Sequence, residues 1–372
     1  MYNNQLGLVI PFPLTCRPHR RRKALASQKV GRVRCALTQL DEAALYDRQI
    51  RLWGLEAQNR MRSAHIVVVT LSGVATEVIK NVVLAGIGKL TIVDAGIVLE
   101  EDLSASFFFR ADDVGQPRIS DAPLQRIQQL NPHVGIQGVA HEGVPSHKAL
   151  QELRPNVVIV TSGTKEELVQ WNDACRSADA MFFASAAQGM GGFVFCDLGA
   201  LTYATERPSP DDPSEKVLKR FEQTFVPLSE SLKAPWSFRP SPGLIATLAQ
   251  WAIMQDTTPP STLNDYEQAL ETHASDIMSS KNAKTASVFR RRDAKTFYAH
   301  FAKATYDAVT RRSTASFAPT CAILGGFVAQ AVLNALGQRE EPVVNWCILD
   351  AAMGSADIHL LGPASMAQPT AL

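Results

Sequence analysis

A glycine in a turn is the first group in this sequence that could take part in chemistry. Gly73 follows the run His65–Leu71, whose β-branched residues are typical of a buried parallel strand, and it precedes a helical segment. A glycine there lets backbone N–H groups approach the phosphates of a nucleotide. Asp94 ends the next strand and could accept a hydrogen bond from a ribose. Gly73 and Asp94 are therefore candidate nucleotide-binding residues.

The same turn has a second interpretation. The dinucleotide-binding fingerprint contains three glycines, whereas Thr70–Ala75 retains one. A structural turn that binds nothing tightly would have this sequence as well. An oxidoreductase that uses NAD remains open, but only the β-α-β unit and Asp94 support it.

An arginine on a predicted helix is the second candidate. Arg48 lies in Tyr46–Gln58, and Arg51 follows at i+3 on the same helical face. A guanidinium is permanently charged and planar, which suits it to bind phosphate oxygens. The ordinary alternative is a solvated arginine paired with Asp47 or Glu56. The residues alone favour the solvated arginine, because most arginines on helices are solvated.

The cysteines and histidines do not predict a metal site or a nucleophile. No C-x-x-C pair occurs among the six cysteines, and the eight histidines are scattered without metal-binding spacing. We expect no metal in this chain. Four cysteines lie in apolar strands or helices and are expected to be small buried residues; these are Cys175, Cys196, Cys321 and Cys347.

Composition predicts a globular protein with a basic N-terminal segment. The 372 residues are 46% hydrophobic and 20% charged, which is enough apolar material for a sizeable core. Residues 1–36 contain eight basic and no acidic residues, and the remainder has a net charge of −7. We therefore expect no nucleic-acid partner. Residues 1–37 are interpreted as a disordered tail, with a transit peptide or a nuclear localisation signal as alternatives.

Alternating strand and helix patterns predict an α/β fold with a Rossmann-like, doubly wound, mostly parallel sheet. This half spans residues 38–204. A proline- and acid-rich stretch at 205–215 predicts a loop or linker, and helical patterns follow, so that 205–312 is expected to be a linker with a helical insertion. Residues 313–372 are expected to form a buried interface helix, a last strand at Val344–Asp350 and a tail.

The stretch 313–338 contains no charged residue. Its strongly apolar part is shorter than the roughly 20 residues that a membrane span needs, and it includes Pro319, Gln330 and Asn334. These features favour a helix buried in a core or subunit interface, and we expect no membrane partner.

The segment Tyr46–Gln58 resembles the N-terminal signature of the small subunits of SUMO-activating enzymes, which have a ubiquitin-activating-like adenylation fold. Later motifs follow the order found in that family, and the resemblance covers about residues 41–362. These motifs are Ile92–Asp94, Asp113–Gly115, Asn131-Pro132, Gly325-Gly326 with Gln330, and the strand that ends at Asp350.

The resemblance also shows what this chain lacks. In catalytic members, an Asn-Leu-Asn-Arg-Gln-Phe stretch holds the ATP phosphates, and the matching residues here are Asp102–Phe107. An Asp-Asn pair that helps to hold magnesium is matched by Thr161–Thr164, and the phosphate-binding lysine is matched by Arg118. The comparison implies a pseudo-adenylation subunit that binds no nucleotide firmly.

By the same resemblance, Arg48 is the catalytic residue of this chain, because the matching arginine reaches the ATP phosphates of the partner subunit. The partner would be a larger subunit that carries the catalytic cysteine, binds Mg-ATP and forms an obligate heterodimer activating SUMO. A nuclear location is implied, and a cytoplasmic pool is left open. Two related alternatives are the equivalent subunit for NEDD8 and a homodimeric adenylyltransferase for sulfur carriers, which would need the missing pocket residues.

Overall fold

The computed structural model describes residues 45–209, 215–236, 239–256, 258–289, 293–310, 317–363, 366 and 369–372. The chain divides into two compact units, 1–48 and 49–372. The basic segment 1–37, which includes Cys16 and Cys35, lies outside the described residues.

An eight-stranded sheet forms the centre of the second unit, in the order β10-β9-β6-β5-β4-β1-β2-β3. Strands β1 to β5 pair with one another in parallel. The pairs β5–β6, β6–β9 and β9–β10 are antiparallel. The predicted mostly parallel α/β fold is confirmed. The strands are β1 (His65–Val69), β2 (Lys89–Val93), β3 (Gly135–Val139), β4 (Val157–Val160), β5 (Met181–Gln188), β6 (Gly191–Asp197), β9 (Trp346–Asp350) and β10 (Ser355–His359).

Helices cover both faces of this sheet, and each face has its own apolar core. The order of α-helices is α1 (Asp47–Trp53), α2 (Leu55–Ser63), α3 (Gly73–Leu84), α4 (Asp121–Gln128), α5 (His147–Leu153), α6 (Lys165–Ser177), α7 (Leu228–Lys233), α8 (Pro242–Ile253), α9 (Leu263–Ser280), α10 (Thr285–Val288), α11 (Ala294–Thr310) and α12 (Ala318–Gly337). Helices α3 and α12 contribute to one core, and α6 and α8 contribute to the other.

The charge-free helix α12 packs on α3 over strands β5 and β6. It is long and apolar enough to cross a membrane by length and composition, but 61% of its apolar window is buried inside the protein. Arg60 on α2 donates hydrogen bonds to the carbonyls of Leu336 and Gly337, which satisfies acceptors at the end of α12. These contacts fit the predicted core helix.

A second, three-stranded sheet corrects the prediction of a loop or linker at 205–215. Its strands are β7 (Ala200–Pro208), β8 (Lys216–Thr224) and β11 (Thr370–Ala371), in the order β11-β8-β7. Residues 205–208 belong to β7, and residues 216–224 form β8. These strands are only half-buried and rich in charge, so their stability comes from pairing with each other rather than from an apolar run.

Helices α8, α9 and α11 pack together into a third apolar core. Helix α9 lies within the predicted helical insertion, and Thr262 and Asp265 form a capping box at its start. The helical insertion therefore exists, but it follows the β7–β8 hairpin instead of a linker.

Candidate functional site

The carboxyl ends of β1, β2 and β4 converge where a nucleotide would bind in a doubly wound sheet. Asp94 follows β2 and is 6% exposed. Its two carboxylate oxygens accept hydrogen bonds from the backbone N–H groups of Leu71 and Gly96, both at 2.7 Å. Asp94 thus ties the turn after β1 to the turn after β2, instead of presenting both oxygens to a ligand.

Arg118 and Asp102 form a buried ion pair beside Asp94. The Nη2 of Arg118 donates to both oxygens of Asp102, at 3.1 and 2.8 Å, and Nε donates at 3.2 Å. The Nη1 of Arg118 lies 3.8 Å from a carboxylate oxygen of Asp94. The residues that replace the family's phosphate ligands are therefore bonded to each other.

The turn between β1 and α3 is also closed by internal hydrogen bonds. The Ser72 hydroxyl caps α3 by accepting from the N–H of Ala75 at 3.2 Å, and it donates to Thr161 at 2.8 Å. Thr161 in turn donates to the carbonyl of Thr70 at 2.7 Å. An anion at this helix N-terminus would have to compete with the serine cap.

Gly73 is required for packing at this turn. A Cβ at this position would lie 2.7 Å from the Cβ of Ala105 and 2.9 Å from the Sγ of Cys321. The glycine therefore lets α3 approach α12 and the loop around Ala105. Its predicted role in nucleotide binding stays a prediction, and the geometry accounts for the glycine without a ligand.

The charges of this cleft bear on whether it could hold Mg-ATP. Two buried carboxylates, Asp94 and Asp102, face one guanidinium, so the local charge opposes a triphosphate. Within the described ranges, no cluster of three or more histidine, cysteine or acidic residues could hold a metal. The arrangement can hold three loops together.

Arg48 lies on α1, and its side chain is exposed. Glu56, one of the two carboxylates that the sequence offered as partners for Arg48, bonds to Arg60 at 2.6 Å. The exposed guanidinium is a group that a partner protein can reach.

The four described cysteines are buried, as predicted, and none forms a disulfide. Burial raises the pKa of Cys175 and Cys196 strongly, and the nearby Asp197 adds to the effect. Burial also raises the pKa of Cys347 to about 11. Because the thiolate is the nucleophile, these thiols are poorly suited to form a thioester at neutral pH.

A comparison with models of known protein families identifies the family of this chain. The model of the ThiF family matches residues 46–359, most of the chain. The chain belongs to the ThiF family. The matched region includes all eight strands of the central sheet and the cleft at Asp94.

Several ThiF-family relatives are similar along most of their length. The chain is 30% identical over 352 residues to SUMO-activating enzyme subunit 1 of Rattus norvegicus, covering 87% of this chain and 95% of the relative. It is 29% identical to the human protein of the same name, over 87% of this chain and 96% of that protein. It is also 31% identical to the DNA damage tolerance protein RHC31 of Saccharomyces cerevisiae, over 83% and 94%.

Solved structures support the same fold. Two structures of Escherichia coli MccB, one with succinimide and one with MccA-N7isoASN, align with TM-scores of 0.50 and 0.51. Sequence identities are 14% and 13%, and the alignments cover 86% and 87% of this ThiF-family chain and 73% and 72% of the MccB chains. At this identity the likeness concerns the fold alone.

Sequence reasoning missed the ion pair between Asp102 and Arg118. Each residue was recognised as a replacement for a family ligand, but not as the partner of the other. The signal in the sequence was a pair of opposite charges. Asp102 stands where the family motif has an asparagine, and Arg118 stands where the family has a lysine. An arginine can bind a carboxylate through two nitrogens.

Proposed function

We propose that this chain is the small, non-cysteine subunit of a heterodimeric SUMO-activating enzyme. The full-length similarity to SUMO-activating enzyme subunit 1 supports the assignment to that complex. The larger partner would bind Mg-ATP, adenylate the C-terminal glycine of SUMO and carry the cysteine that receives it as a thioester. The complex would act mainly in the nucleus.

The cleft at Asp94 is the observation that supports nucleotide binding by the larger subunit and a structural role for this chain. The Asp102–Arg118 pair and the hydrogen bonds of Asp94 use the charged groups that a working cleft would offer to nucleotide and magnesium. A chain of this family with such a cleft contributes structure and not its own adenylation. A sulfur-carrier adenylyltransferase or an NAD oxidoreductase would need an open cleft in this chain.

Arg48 is the residue that we expect to act in catalysis. Negative charge is redistributed on the reacting phosphate during adenylation, and a permanently charged guanidinium stabilises it. Arg48 is exposed, as a group that reaches into a neighbouring subunit must be. Its function in this proposal is to contact the nucleotide held by the partner.

The exposed face of α12 is the proposed docking surface for the larger subunit. Ile323 is 49% exposed and Phe317, which caps the helix, is 47% exposed, while the helix itself carries no charge. An uncharged apolar face of this kind is costly to leave in water. Because the opposite face of α12 packs in the core, a partner bound to the exposed face would extend the same apolar packing across the interface.

Reconstitution tests this function. The chain is co-expressed with a larger, catalytic-cysteine subunit, and ATP-dependent thioester formation is measured with SUMO and, separately, with NEDD8. We expect thioester formation with SUMO on the larger subunit. A preference for NEDD8, or a thioester on any cysteine of this chain, would contradict the assignment.

The same assay tests Arg48. Because a charge-assisted contact to phosphate is lost, Arg48→Ala should slow thioester formation by about tenfold or more without preventing assembly. The control Arg220→Ala removes an exposed arginine from β8 and should leave the rate unchanged. An Arg48→Ala complex that works at the full rate would remove the catalytic role from this side chain.

A further inference from the structure

A cavity of about 600 Å³ lies between α11 and the ends of β5, β6 and β9. Strand β5 belongs to the parallel part of the sheet and ends at Gln188, so the cavity opens at the carboxyl edge where α/β sheets bind ligands. Its volume lies in the range of small-molecule sites. The cavity is separate from the Asp94 cluster, and no residue of that cluster lines it.

Most of the cavity wall is apolar. The lining side chains from the strands, the turns and α11 include Met190, Phe297, Phe301, Ile348, Leu349 and Met353. Met190 and Met353 are 51% and 52% exposed, so two flexible apolar side chains stand at the opening. Methionines adapt their shape to an apolar ligand at little cost. The cavity therefore suits an apolar chain or ring.

The charged groups at the cavity differ in their availability. The carboxylate of Asp293 accepts from both the backbone N–H and the hydroxyl of Thr296, each at 2.8 Å. Asp350 accepts from the N–H of Met353 at 3.1 Å. Both acids thus hold local backbone structure and keep their negative charge, so an anionic ligand would be held by direct contact with Lys303 and His300 and not by the net charge of the cavity.

His300 and Lys303 line the same cavity from α11, three residues apart and therefore on one helical face. Both side chains are exposed, and neither has a hydrogen bond or ion pair with the residues that the structure describes. Lys303 provides a positive charge, and His300 provides a further hydrogen-bonding nitrogen. These nitrogens stand at one wall of an otherwise apolar space.

We infer that this cavity binds an apolar ligand that ends in a carboxylate. The apolar body would fill the space between α11 and the sheet, and the carboxylate would pair with Lys303 and hydrogen-bond to His300. A fatty-acid-like molecule and the C-terminus of an apolar peptide share this chemistry. The inference concerns this chain alone and does not depend on SUMO activation.

Calorimetric titration of the full chain tests the inference. The probes are decanoate, decyltrimethylammonium as its cationic counterpart, and an apolar pentapeptide with either a free or an amidated C-terminus. We expect one site per chain for decanoate, for the free-acid peptide, or for both, and these two arms distinguish the source of the ligand. Equal binding of the cationic probe, or no binding by either acid, would overturn the inference.

Matched variants locate the site. Lys303→Glu should weaken binding of the acid by about tenfold or more, because an attractive charge becomes repulsive. Lys295→Glu alters an exposed lysine on the same helix outside the cavity lining and should have little effect. Met353→Asp changes an exposed residue at the opening and should also weaken binding. Equal responses to the two lysine variants would place the ligand elsewhere and contradict the assignment.

Discussion

Arg118 binds Asp102 through two guanidinium nitrogens, and both side chains are almost fully buried, at 7% and 4% exposed. The two residues are 16 positions apart and join the loop after β2 to the segment before α4. Buried ion pairs are sensitive to the loss of one member, since the remaining charge is left in a poorly solvating environment. This relationship gives the first prediction.

Asp102→Leu should lower the free energy of unfolding by about 3 kcal/mol, because Arg118 stays buried without its bidentate partner. The double variant Asp102→Leu with Arg118→Met should recover much of this loss, since the one charge that remains, on Asp94, still accepts hydrogen bonds from the N–H groups of Leu71 and Gly96. Chemical denaturation measures both. As a control, Glu152→Ala breaks an exposed pair with Lys148 at 4.0 Å and should cost less than about 1 kcal/mol. A double variant as unstable as the single one would contradict the ion-pair account.

Adjacent glycines in α12 give the second prediction. A Cβ on Gly325 would collide with the side chain of Glu77 and lie 3.0 Å from the carbonyl oxygen of Val74, whereas a Cβ on Gly326 would meet nothing within 4 Å. Gly325→Ala should therefore destabilise the chain by about 1–3 kcal/mol through overpacking against α3. Gly326→Ala should be neutral or stabilise by up to about 1 kcal/mol through helix propensity. Thermal unfolding of the two variants checks this, and equal effects would show that the close approach of α3 and α12 is wrong.

The third prediction concerns the proposed docking surface. Ile323→Asp places a charge on the exposed face of α12 and should prevent co-purification with the larger subunit, because the charge would be buried in the interface. The chain itself should keep its fold, since Ile323 is half-exposed. Leu218→Asp changes an equally exposed apolar residue on β8 and should leave assembly intact. Assembly that survives Ile323→Asp would exclude this face as the main interface.

Buried histidine gives a pH-dependent prediction. The Nδ1 of His65 lies 3.2 Å from the carbonyl oxygen of Leu153, and Nε2 lies 2.9 Å from the Thr91 hydroxyl. Burial lowers the pKa of His65 below its ordinary value of 6.5, and Lys89 lowers it further. The folded state therefore favours the neutral ring. As pH falls below 6.5, the unfolded chain takes up the proton first, and stability is lost progressively down to the folded pKa.

Denaturation between neutral and mildly acidic pH measures this loss. His65→Gln should reduce the slope of stability against pH in this window, while the exposed His147→Gln should not. A residual slope is expected from His359, whose pKa burial also lowers. An unchanged slope in His65→Gln would show that His65 is not the group responsible.

Much of the central fold was predictable because its signals are local. The continuous apolar runs of β1 and β4 and the capping box of α9 each specify an element within a short window. Strands β7 and β8 lack such a signal. Their residues are charged and half-buried, and only pairing between distant segments makes them strands.

The candidate site was also predictable only in part, because some of its features depend on contacts between distant segments. The loss of the family's nucleotide ligands was readable from Asp102, Arg118 and Thr161 one position at a time. The pairing of Asp102 with Arg118 and the hydrogen bond between Ser72 and Thr161 were not readable in this way, because they depend on how the loops after β1, β2 and β4 fold against each other. The packing role of Gly73 likewise depends on α12, which lies about 250 residues further along the chain.

Titration of the full chain with Mg-ATP by calorimetry tests the central claim most directly, which is that the cleft at Asp94 has become a structural element. With Asp102 paired to Arg118 and Asp94 hydrogen-bonded to the backbone, we predict no saturable binding to the chain alone at roughly millimolar nucleotide. The assembled heterodimer, measured in parallel, should bind one nucleotide. Saturable binding by the isolated chain that Asp94→Asn abolishes would contradict the account.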